Sequence, residues 1–152
     1  MRLIRKEEHQ CLFYLNGPEQ ELLFDLLRRY PCIPPAHHNH TRLTPQIASD
    51  EAQQLLEESL EEHRTATRRQ LQAWLADPKR LHKKGNGYEI AVTFPELEQL
   101  LQVLNDIRVG SWVALGEPDE KMHDLPAGKA QNLWSMELAG IFQMRILEAM
   151  RS

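Results

Sequence analysis

Nowhere in the 152 residues does an uninterrupted apolar run approach the roughly 18 positions that a membrane-spanning helix needs. Met1-Arg2-Leu3-Ile4-Arg5-Lys6-Glu7-Glu8 meets charge before any apolar run long enough for a signal peptide, so a soluble, cytoplasmic protein with no membrane partner is expected. Cysteine is scarce. Cys11 and Cys32 stand in a chain without an export signal, and both are expected to be reduced. Nor is charge of one sign in excess: 18 Lys plus Arg against 22 Asp plus Glu leave a net charge of −4, which provides no global field for DNA or an acidic membrane. The chain also lacks a Gly-x-Ser-x-Gly elbow, a Cys-x-x-Cys pair and a His-Glu-x-x-His helix. Gly85-Asn86-Gly87 has neither the Lys-Ser or Lys-Thr of a P-loop nor the three glycines of a dinucleotide turn. The sequence reading therefore assigns no catalytic residue and no cofactor, and it finds no internal repeat, low-complexity tract or sustained heptad.

What is present reads as one domain over 1–152. Residues 1–16 form a strand hairpin, because Cys11, Phe13 and Leu15 alternate with Leu12, Tyr14 and Asn16. Asn16-Gly17-Pro18 ends it, and Leu22, Leu23, Leu26 and Leu27 then recur on one side of a helix running to Tyr30. Residues 31–48 hold four prolines and few large apolar groups, so a long irregular loop is expected. A long helix follows over 49–76 and stops at Asp77-Pro78. Tyr88, Ile90 and Val92 mark a strand that pairs with Leu81 to Lys83 or with the N-terminal hairpin. The C-terminal helical pair spans 94–150; Thr93, Pro95 and Glu96 have the spacing of a capping box, and Gly116 ends the first of the two helices. The fold class is α+β, mainly helical: about four helices with a small set of short strands on one side.

Leu104-Asn105-Asp106-Ile107-Arg108, then Leu115-Gly116, then a terminal helix with Leu133-Trp134, resembles an uncharacterised bacterial family best represented in actinobacteria. The resemblance covers mainly Leu97 to Met150. It implies a small cytosolic helical protein with no established activity; some members are described as regulators, and some are encoded near the adaptor of the Clp protease.

Three residue groups are candidates for function. Asn105, Arg108 and Trp112 form the first: Asn105 and Arg108 share a helix face, Asp106 points elsewhere, and Arg108 lies four residues before Trp112, where it can stack on the indole. Arg108 is read as a buried strut, paired to Glu137 or to a backbone carbonyl, with recognition of a carboxylate or phosphate as the alternative. His37, His38 and His40, with Cys32, are ligand types that zinc or copper accepts, but their spacing is not specific, and a solvated loop is preferred to a metal-binding protein or metal-dependent enzyme. Lys79, Arg80, Lys83 and Lys84, with Arg68 and Arg69, are the patch a DNA-binding regulator would use, although no helix suited to base reading accompanies them. His63 and the pairs Glu57-Glu58 and Glu61-Glu62 are read as a solvated helix surface. The preferred reading is a non-enzymatic cytosolic interaction or regulatory protein of unknown partner. It is expected to form a homodimer through the long helix, whose Leu55, Leu56, Trp74 and Leu75 need cover.

Overall fold

Two-residue periodicity makes β2 (Gln10–Asn16) a strand with Cys11, Phe13 and Leu15 buried on one face. It pairs antiparallel with β1 (Arg2–Lys6). A second hairpin joins β3 (Leu81–Lys84) to β4 (Gly87–Thr93), and Gly85 takes the positive φ of 59° that its tight turn requires. β4 pairs with both of its expected partners, giving one antiparallel sheet in the order β1-β2-β4-β3. The structure, a computed structural model, describes residues 1–34, 50–119 and 128–152. Asn16 caps α1 (Gly17–Leu27) and Thr93 caps α3 (Phe94–Ala114), each in a reciprocal capping box with a glutamate and each with proline in the first turn. The long α2 (Asp50–Ala76) and the terminal α4 (Ala130–Arg151) complete the described elements, an α+β fold that is mainly helical.

One apolar core joins the inner sheet face to the helices: Phe13, Leu15 and Ile90 meet Leu26 and Leu27 of α1, Leu97, Leu104 and Ile107 of α3, and Phe142 and Ile146 of α4. Burying each such side chain contributes about 1.5–3 kcal/mol. α2 joins the same core through Leu71 and Trp74, while Thr67 is buried one turn earlier. This corrects the expectation that Trp74 lies uncovered. Its ring sits 5.8 Å from Phe24, and the Arg80 guanidinium lies 5.3 Å above it; Leu75 is half-buried. Leu55 stays exposed. Among the described residues no helix is long and apolar enough to cross a membrane.

The sheet also reveals a repeat that the sequence reading missed. The shift that carries Asn16 onto Thr93 carries Pro18 onto Pro95 and Glu19 onto Glu96, so the two capping boxes correspond. The same shift turns the pairs Arg5↔Leu12 and Lys6↔Cys11 into His82↔Glu89 and Lys83↔Tyr88, which are two of the four pairs of the second hairpin. It turns Phe13 into Ile90, and these two residues face each other at the centre of the β2–β4 ladder. A pseudo-two-fold axis therefore passes between Phe13 and Ile90 and relates β1-β2-α1 to β3-β4-α3. Besides Pro18 and Glu19, the shift sets Lys6, Glu21, Leu23 and Leu27 on the identical Lys83, Glu98, Leu100 and Leu104; the strands keep little else, because strand pairing demands alternation of side chains and not particular ones.

Asn16→Ala and Thr93→Ala are each expected to cost about 1 kcal/mol through loss of a cap. The caps stand at opposite ends of the β2–β4 ladder, so the double variant should lose the sum within about 0.5 kcal/mol. Urea melts of the three variants check this; a double-variant loss well away from the sum counts against independent caps.

Candidate functional site

The chain leaves α1 through Arg28 and Arg29, whose amides close the last turn on Phe24 and Leu26. It then runs as Tyr30-Pro31-Cys32-Ile33 across the second half of α3. Asp106 receives it: Oδ1 accepts the backbone N–H of Cys32 at 2.6 Å and that of Ile33 at 3.3 Å. Arg64 of α2 donates to the Ile33 carbonyl on the same segment. Gly110, one turn after Asp106, provides the room, since a Cβ there would collide with the backbone and Cβ of Cys32. Arg29 extends the junction to α4, where it donates to the buried Ser135 hydroxyl at 2.6 Å and lies 5.8 Å from the Trp134 ring.

This arrangement corrects the reading of the polar cluster. Arg108 is exposed and rests along Gly140 of α4, and Asn105 is exposed as well. Trp112 is 38% exposed and donates its indole N–H to the Pro118 carbonyl. Among the described residues Arg108 makes neither an ion pair with Glu137 nor a stack on Trp112. Asp106, set aside from the sequence, is the residue whose partners lie far away in the chain. At about 100° per residue, positions 106 and 108 sit about 200° apart, on opposite margins of the buried face formed by Leu97, Leu100, Leu104, Ile107 and Ser111. A helical-spacing argument that places Arg108 among the leucines misses by one step around the helix.

Beside the junction, α2 and α3 leave a polar groove. One cavity of about 220 Å³ is bordered by Tyr30, Arg64, Asn105 and Asp106, and an adjoining one of about 360 Å³ by Gln70, Glu98 and Gln99; His63, Thr67 and Gln102 border both. Burial, and then the Asp106 carboxylate, push the Tyr30 hydroxyl above its ordinary range. The same two causes, in the same order, raise the Cys32 thiol to about 11, and its Sγ donates to the Arg29 carbonyl at 3.2 Å. A thiol held protonated is a poor nucleophile. Among the described residues no hydroxyl or thiol is hydrogen-bonded to a histidine, and no three His, Cys, Asp or Glu side chains gather as a metal would require. His37, His38 and His40 lie outside the described residues.

The basic segment before and within β3 is partly consumed by structure. Arg80 forms a two-pronged ion pair with Glu96, at 3.0 and 2.8 Å, and so reinforces the cap of α3. Lys84 pairs with Glu89 at 2.6 Å. Lys79, His82 and Lys83 remain exposed, as do Arg68 and Arg69 on α2. A different surface stands out. Among the described residues seven large apolar side chains are exposed, and five of them, Trp112, Trp134, Ile141, Met144 and Leu147, belong to α3 and α4. The sequence signal for it was visible in α4, which carries apolar residues around more of its circumference than one buried stripe can use.

Asp106→Ala should destabilise the protein by about 2–4 kcal/mol, since it strands two half-buried amides, whereas Arg108→Ala should stay within about 0.5 kcal/mol of the parent. Denaturant melts separate the two, and an Arg108→Ala loss as large as that of Asp106→Ala would return Arg108 to a strut role. For Cys32 the folded value of about 11 lies above the ordinary 9.0, so its contribution is full below pH 9 and is lost as pH climbs toward 11. The parent should thus lose more stability across that window than Cys32→Ala, and iodoacetamide should alkylate Cys32 slowly at neutral pH; rapid alkylation of the folded protein there would contradict the buried thiol. Comparison with family models, with characterised proteins and with solved structures finds no match for this chain, so the geometry carries the functional reading.

Proposed function

We propose that the protein is a non-enzymatic interaction or regulatory protein of the cytoplasm, and that the outer surface of the α3–α4 hairpin is where it takes a protein partner. The concentration of exposed Trp112, Trp134, Ile141, Met144 and Leu147 on two adjacent helices carries this reading. Scattered apolar side chains are ordinary on a surface; a cluster of aromatic, methionine and aliphatic groups on one rigid element is the composition of a protein-binding face. The polar groove between α2 and α3 offers hydrogen-bonding groups, but its best-placed carboxylate, Asp106, is occupied by the chain's own amides.

A photo-crosslinking amino acid placed at Met144 should, on irradiation in cells, give a discrete adduct with a protein, the protein's own chain included. The same probe at Ile4, exposed on β1, supplies the comparison. Absence of a protein adduct at Met144, or labelling equal to that at Ile4, removes the case for this face.

A further inference from the structure

The outward side of α4 carries a charge pattern that matches itself. Its inward side is fixed by the buried Ser135, Ala139, Phe142, Ile146 and Ala149. Outside that stripe stand Trp134, Glu137, Ile141, Met144 and Glu148, with Arg145 on the flank toward α1, all exposed, with Ile141 48% and Met144 50% accessible. Spacings of three, four and seven put the first five on one face. Glu137 comes four residues before Ile141 and Arg145 four residues after it. Glu137 has no partner among the described residues, and Arg145 makes a long 3.4 Å contact with Glu148 and lies near enough to Glu19 of α1 to help hold that carboxyl low.

We propose that the occupant of this face is a second copy of the same chain, with the two α4 helices packed antiparallel about a two-fold axis at Ile141. The inference rests on the reading that this face takes a protein, and it names which one. An isologous antiparallel pair sets each residue before the axis against the residue equally far after it in the other copy. Glu137 then meets Arg145 of the second copy, and this happens twice. Ile141 meets itself at the axis. Opposite charges beyond a central apolar contact fix both register and direction. A parallel pairing would set Glu137 against Glu137 and Arg145 against Arg145, and like charges across an interface disfavour it. The long helix, where the sequence reading put self-association, has turned Trp74 into its own core.

The full chain should be mainly dimeric in sedimentation equilibrium at about 100 μM, a concentration well above the dissociation constant of an ordinary specific interface. E137R alone and R145E alone each set like charges against one another at both contacts, and each should weaken the dimer by about tenfold or more. An equimolar mixture of the two variants should recover association, because the cations of one then face the anions of the other. I141E should give a monomer. Thermal melts monitored by circular dichroism verify that each variant keeps the fold. A parent that is monomeric at this concentration overturns self-association, as does a dimer that all three single variants leave intact or a mixture that fails to associate while both variants stay folded. The Met144 crosslink separates this proposal from the reading beneath it: an adduct with a different protein beside a monomeric parent overturns the second copy alone, whereas no protein adduct at all overturns both.

Discussion

Antiparallel pairing of β2 with β4 is the contact from which the rest of the molecule is positioned. It joins segments that lie far apart in the sequence, and its centre, Phe13 against Ile90, is buried from both strands. A one-residue slip of this register would turn every buried side chain of one strand outward, so the apolar alternation holds the register as firmly as the hydrogen bonds do. The two capping boxes start at opposite ends of the same ladder and send α1 and α3 back over the same face. Sheet, caps and first helices thus form a single two-fold-related frame.

The halves then diverge in ways that make one surface special. α1 stops after 11 residues, while α3 continues for 21. Its extra turns need a covering, and the segment after α1 supplies it by crossing to Asp106 and filling the space that Gly110 leaves open. α2 contributes Arg64 to this crossing and spends its apolar residues on the core through Leu71 and Trp74. α4 packs on α3 through a stripe that uses only part of its apolar complement. What remains outside is the face to which both functional proposals are attached.

Much of this was legible from local pattern. The hairpin of 1–16, the stop of α2 at Asp77-Pro78, the cap at Thr93 and the end of α3 at Gly116 all rest on steric and hydrogen-bonding rules that act within a few residues, and each boundary fell within about three residues of its expected place. Trp74 was misjudged because an exposed-looking stripe says nothing about Phe24 and Arg80, which reach it from elsewhere. The repeat went unseen because its identities, such as Pro18 with Pro95, Leu23 with Leu100 and Leu27 with Leu104, are few and scattered, and pairing register preserves side-chain alternation more than identity.

The sequence by itself determined the elements, their capping, the fold class and the absence of standard catalytic motifs, since each of these depends on neighbours within one helical turn or one strand. Only the tertiary structure decided which polar residue of Leu104-Asn105-Asp106-Ile107-Arg108 carries a structural role and which apolar residues stay exposed. Asp106 and Arg108 differ by two positions, and helical geometry places them on opposite margins of the same buried face. One margin meets the amides of Cys32 and Ile33, the other lies along Gly140 in solvent. No local rule separates those margins, because the difference is made by segments that approach from more than seventy residues away for one and about thirty for the other.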